Sequence, residues 1–234
     1  MRGMQPLRSL ASIGIGIALA ALAGPAAAGP AQQHSIRLGM VVDDRVSPAA
    51  RYLTATIAEA DAIWRPHGVS VMLARAGDLA PDVIRLALTF EPVPRVPRQK
   101  AALGSIWFDE EGLPGNVLAV DLSAVTGSIR QSLVGGRVFE QWPPDLMTGR
   151  ALGRVLAHEI GHYVLASPAH ARTGLMRAVF NSRDLAAWDR RHFALDDGAR
   201  ARLQARLAQL DGGQKPLGPI TFNLETAETA EKNP

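Results

Sequence analysis

The spacing of apolar and polar positions changes several times along the chain, and each change marks an element. Residues 36–42 form a short apolar run closed by Asp43 and Asp44, the pattern of a buried strand followed by a turn. Ser47 and Pro48 read as a helix start, Ser as N-cap and Pro at the first helical position. Leu53, Ile57, Ala60 and Trp64 then recur at helical spacing until Pro66, His67 and Gly68 end the run. Alternation with a period of two follows twice: Val69, Val71 and Leu73 share one face, as do Ile84, Leu86, Leu88 and Phe90, so two further strands are expected. Pro92, Pro94 and Pro97 among Arg95, Arg98 and Lys100 mark an exposed loop. Beyond it, segments 105–108 and 116–122 flank a turn containing Gly112, Pro114 and Gly115, which predicts a hairpin or a pair of edge strands.

Residues 123–147 show no clear period, are rich in Gly and end in Trp142, Pro143 and Pro144. They are expected to form a long loop of the kind that borders a binding site. Thr148 then reads as the N-cap of a strongly periodic helix with Leu152, Val155, Leu156, Ile160, Tyr163 and Val164 on adjoining faces, ended by Pro168. Residues 196–210 form a last amphipathic helix, with Ala199, Leu203, Leu207 and Leu210 at compatible spacing. With one early helix, a group of strands and two late helices, and no internal repeat, the predicted class is α+β.

Composition narrows this picture at three points. Residues 1–28 carry Arg2 and Arg8, no acidic residue, an uncharged Ala/Ile/Leu/Gly run and an A-x-A pattern after Pro25, the signature of a secretory signal peptide. The expected organisation is therefore a signal peptide at 1–28, one catalytic domain at 29–210 and a flexible tail at 211–234. The product would be exported to a periplasm or secreted, with no stable membrane insertion after cleavage. Removal of Arg2 and Arg8 lowers the formal charge from +3 to +1, and the remaining basic residues form no stripe, so no nucleic-acid partner is expected. The chain has no cysteine, so any metal must be held by His, Asp or Glu. No signature sets an oligomeric state.

The chemistry concentrates in His158-Glu159-Ile160-Gly161-His162. Two imidazoles four residues apart lie one turn apart on the same helix face and can reach one cation, with a carboxylate between them. In a chain of this composition chance would produce the pattern about 0.006 times, so coincidence is a poor explanation. A catalytic zinc takes three protein ligands and leaves one position for water. His170 is the expected third ligand, because it follows the break at Ser167 and Pro168 by two residues and a reversal there can return its ring to the helix; Asp184 is the alternative. His34, His67 and His192 are expected to be solvated.

The run HEIGHYVLASPAH, followed by Thr173-Gly174-Leu175-Met176-Arg177, resembles the metzincin zinc endopeptidases, which carry HExxHxxGxxH and then a turn with a methionine beneath the metal. The resemblance extends over roughly residues 35–210 through the order of elements. It implies a small, twisted, mostly parallel sheet with an early helix, an active-site helix and a C-terminal helix. It also implies Zn2+ held by His158, His162 and His170, Glu159 as catalytic base, Met176 in the turn and a polypeptide as substrate. Two departures stand out: Leu165 occupies the place of the family's turn glycine, and the third His comes two residues late. The expected activity is hydrolysis of peptide bonds, the substrate pairing with an edge strand placed at 116–122. The competing readings are a non-catalytic metal-binding or protein-interaction module on the same fold, and a zinc hydrolase of small amides.

Overall fold

The computed structural model describes residues 34–42, 49–75, 80–93, 102–134 and 144–211. Residues 1–33, with the expected signal peptide at 1–28, residues 43–48 with Ser47 and Pro48, and the expected tail beyond Asp211 lie outside the described residues. Strand β1 (Ile36–Val42) leads to helix α1 (Ala50–Trp64), a short 3-10 turn and strands β2 (Val69–Ala74), β3 (Val83–Thr89), β4 (Gly104–Phe108) and β5 (Pro114–Val120). Helices α2 (Leu122–Val134), α3 (Pro144–Leu165), α4 (Ser182–Ala186) and α5 (Asp197–Asp211) complete the chain. The architecture is mixed α/β around one five-stranded sheet, ordered β2-β1-β3-β5-β4. All neighbours are parallel except β4, which runs antiparallel to β5. Among the described residues no helix is long and apolar enough to cross a membrane.

One set of alternating side chains, including Leu38, Met40, Leu86, Leu88, Leu118 and Val120, is buried with Trp64 and the apolar residues of α3 in a single core. Those residues are where a period of two places them, on one face of the sheet. Helix α3 packs closely along α1 because its contact face is lined by glycines. A Cβ at Gly149 would stand 2.6 Å from the Ala55 Cβ, and one at Gly153 2.5 Å from the Thr56 carbonyl oxygen. Trp64 Nε1 donates to the Ala157 carbonyl, 2.9 Å away, tying the end of α1 to the turn that precedes His158.

Three expectations are corrected. Helix α3 begins at Pro144, so Thr148 is a buried, interior helical residue and not an N-cap. Residues 122–134, expected to be loop, form α2. Its start is capped by Asp121, whose Oδ1 accepts from Ala124 N and Ser123 Oγ, both at 2.8 Å. Residues 135–143 of that stretch lie outside the described residues. Finally, the hairpin is present, but β5 lies inside the sheet between β3 and β4, and the edge strand is β4.

Helix α3 ends without a glycine. Ala166 takes the left-handed conformation (φ 44), Ala166 N donates to Tyr163 O at 3.1 Å, and Ser167 N reaches back to His162 O at 3.2 Å. This closes the last turn as a glycine at the C′ position ordinarily does. The turn that the family pattern would place at Leu165 is thus made one residue later, at an alanine whose Cβ is strained there. Ala166→Gly is therefore expected to raise stability by about 0.5–1 kcal/mol after the added chain entropy is offset. Urea denaturation of the two proteins under identical conditions checks this, and a lower midpoint for the glycine variant would contradict it.

Candidate metal centre and cleft

Helix α3 carries His158, Glu159 and His162, all buried, on the side that faces β4 and the segment after the helix. The imidazole of His158 donates from Nδ1 to Leu175 O, and that of His162 from Nδ1 to Ser167 O, both at 2.7 Å. A carbonyl can only accept, so each Nδ1 carries the proton. Burial holds both rings neutral, and His158 is pushed down to about 3. The consequence is unusual: His158 Nε2 and His162 Nε2 lie 3.0 Å apart with no proton between them. Two lone pairs facing each other across that distance repel unless a cation lies between or beside them. Two nitrogens on one tetrahedral zinc, each at 2.0–2.1 Å, would be about 3.3 Å apart, so the spacing suits such an ion.

His170 completes the group. Its ring lies 5.2 Å from that of His158 and 4.9 Å from that of His162, and one ring nitrogen from each of the three residues lies within 4.8 Å of the others. Ala171 N donates to Met176 O at 2.7 Å, which closes the stretch after His170 into a narrow turn and returns it beneath α3. Met176 is buried against Gly161, where a methyl group would overlap its Sδ. The helix glycine in the motif is thus required by the thioether packed against it.

Asp184 is not part of this group. It lies in the first turn of α4, where its backbone N donates to the N-cap Asn181, and its carboxylate is occupied by Arg177, at 2.7 Å, and by Asn181 Nδ2, at 2.9 Å. The structure thus does not bring Asp184, the alternative ligand expected from sequence, together with the three imidazoles. His67 stands away from the group, edge-on to Trp64 at 6.2 Å.

Glu159 faces the start of β4, where the missing side chain of Gly104 leaves it room: a Cβ there would be 2.7 Å from Oε1. Desolvation by burial pushes its carboxyl up to about 8. In the metal-free protein the native state therefore keeps a proton that the unfolded chain releases near 4.5, so stability falls as pH rises through the window from 4.5 to 8. Metal-free Glu159→Gln lacks this titration. Its urea midpoint is expected to exceed that of wild type by an amount that grows from pH 5 to pH 8, and parallel pH profiles would contradict the assignment.

These groups line a cleft of about 680 Å³. Gly104, Ser105, Ile106 and Phe108 of β4 form one wall, and Pro168 with the stretch Ala178–Phe180 forms the other. Phe108 meets His162 edge-on at 6.5 Å, and Phe180 meets His158 edge-on at 5.3 Å. Sequence reasoning passed over these two rings and the two carbonyl acceptors. Only the shortness of segment 104–108 and the preceding proline-rich loop hinted that this strand was the edge.

No protein-family model matches the chain, and no curated protein matches it. Among solved structures, the archaemetzincin of Methanopyrus kandleri aligns with a TM-score of 0.46 at 17% sequence identity, over 77% of this chain and 99% of that one.

Proposed function

We propose that the chain is an exported zinc-dependent peptidase, with His158, His162 and His170 as the metal ligands and Glu159 as the base. The observation that carries this reading is the gathering of one ring nitrogen from each of three histidines within 4.8 Å of one another, with His158 Nε2 and His162 Nε2 3.0 Å apart. That donor set, three neutral nitrogens and no thiolate, suits zinc with one position left over. Bound there, zinc supplies Lewis acidity that brings the pKa of water near 7 and polarises a carbonyl.

The residues of the chain do the remainder. Leu175 O and Ser167 O orient the first two imidazoles and keep their Nε2 atoms bare, the support that metal-binding histidines generally need. Glu159 Oε1 and Oε2 accept the proton of the attacking water and deliver it to the leaving amine; a dication nearby favours the ionised carboxylate that this role requires. The free edge of β4 holds the substrate as an added extended strand, in place of the 116–122 segment expected from sequence. Residues 1–28 direct export.

The test is metal analysis of the purified protein with proteolysis of a denatured polypeptide before chelation, after it, and after zinc is restored. One zinc per chain and activity that follows the metal are expected; activity indifferent to chelation would refute the reading. His170→Ala is expected to weaken zinc binding by at least 100-fold, since only two ligands remain. Unchanged affinity in a competition titration would remove His170 from the ligand set.

A further inference from the structure

Away from the cleft, three guanidinium groups converge on one carboxylate. Arg154 Nε, fully buried, donates to Glu59 Oε1 at 2.9 Å, Arg190 Nη2 donates to Oε2 at 2.7 Å, and Arg150 Nε stands 3.7 Å from the same oxygen. Arg150 and Arg190 reach the surface, their side chains 16% and 46% exposed. The nearby acids are engaged elsewhere, Asp145 facing Arg51 at 3.9 Å and Asp189 facing Arg191 at 3.3 Å. Positive charge is therefore in excess here, and it adjoins apolar surface. The Arg150 guanidinium carbon lies 4.4 Å from the ring centroid of Trp188, which is 63% exposed, and Leu146, one turn before Arg150 on α3, is 38% exposed.

Such a surface suits an acidic segment that also carries apolar side chains, since guanidinium groups bind carboxylates and a broad indole face gains by being covered. The chain contains one. Residues 216–231 hold Glu225, Glu228 and Glu231 and no basic residue, and Ile220, Phe222 and Leu224 alternate with polar residues ahead of them. Reach is sufficient. Near the end of α5, Leu207 Cδ1 would lie 3.5 Å from a Cβ on Gly68, and the Ala55–Gly149 contact beside Arg150 lies back along α1 by about 20 Å at the rise of a helix. Extended, residues 212–224 span about 40 Å.

We infer that Glu225, Glu228 and Glu231 dock within the same chain on Arg150 and Arg190, and that the apolar positions at 220–224 cover Trp188 and Leu146. The segment expected from sequence to be a free tail would then balance the charge of a network that ties α1 to the residues following α4.

Because the chain has no cysteine, Ala227→Cys accepts a single bimane label, whose emission a neighbouring indole quenches. In the full chain at low ionic strength that emission is expected to be at least about twofold lower than in the labelled protein carrying Trp188→Phe, and to recover in about 1 M salt, where the screening length shrinks to about 3 Å. Changing Glu225, Glu228 and Glu231 together to Gln should remove the quenching, as should Arg150→Gln with Arg190→Gln. The first of these leaves the arginine network intact and so keeps the test valid if the second fails to fold. Emission indifferent to Trp188→Phe, or quenching that survives loss of the three carboxylates, would overturn the inference. Quenching that grows with protein concentration would also overturn it, by placing the segment on a second copy.

Discussion

Glu159→Gln is expected to lower kcat on a denatured polypeptide by about 10²- to 10⁴-fold while one zinc stays bound. Gln has nearly the same volume and fits the space that Gly104 leaves open, so the change removes a proton acceptor without creating a cavity. The three imidazoles are untouched, and the carbonyls that orient two of them, Leu175 O and Ser167 O, belong to other residues. Zinc affinity should accordingly change little. Because the lost interaction belongs to the transition state, kcat and kcat/KM should fall together with KM nearly constant. Wild-type turnover in the variant would remove Glu159 from the mechanism, and loss of zinc together with activity would show that the carboxylate serves the metal instead of the water.

The largest effect on stability is expected at Arg154, one helical turn before His158. Its side chain is fully buried. Nε donates to Glu59 Oε1 at 2.9 Å, Nη1 to the carbonyls of Asp184 and Leu185 at 2.6 and 3.1 Å, and Nη2 to that of Asp189 at 2.9 Å. The ring of Phe193 lies 4.8 Å from the guanidinium carbon. One side chain thus joins α1, α3 and the segment around α4 that follows the Ala171–Met176 turn. Arg154→Met retains most of the volume but removes the donor from the carbonyls of Leu185 and Asp189, leaves that of Asp184 with Ala187 N, and leaves buried Glu59 with only Arg190, at 2.7 Å, and the more distant Arg150.

Removing one partner from a buried ion pair typically costs about 3–5 kcal/mol, much of it the penalty of the charge left behind. The expected unfolding free energy of Arg154→Met is lower by that amount. Addition of Glu59→Gln should recover part of it, so the double variant should be less destabilised than the sum of the single changes. Strict additivity would show that the carbonyl contacts, and not the ion pair, account for the loss.

Much of the framework was legible from local pattern. The strand at 36–42, the alternation at 69–74 and 83–89, and a helix bearing both motif histidines are all present, because a burial period of 2 or 3.6 is imposed by the backbone itself. Where the pattern misled, longer-range packing had overridden it. Thr148 has the residue type of an N-cap, yet it is buried inside α3, which begins at Pro144 and packs on α1 through Gly149 and Gly153. In α2, Gly127 and the β-branched Val125, Thr126 and Ile129 weaken the helical signal. The capping residue, Asp121, closes an apolar run and so read as part of a strand.

The spacing of His158, Glu159 and His162 is a local property: once the segment is helical, two imidazoles necessarily stand one turn apart. By itself, the sequence therefore determined the half of the site that one helix can carry, and the absence of cysteine limited the rest to His, Asp or Glu. Which of the remaining candidates stands beside the pair depends on the tertiary structure. The left-handed turn at Ala166 and the Ala171–Met176 bond return His170 to the helix, while Arg177 and Asn181 occupy Asp184. The identity of the edge strand was settled in the same way, since β4 and β5 differ by which neighbours they find in space. Pairings of that kind join residues far apart in the chain, and no periodicity within a segment encodes them.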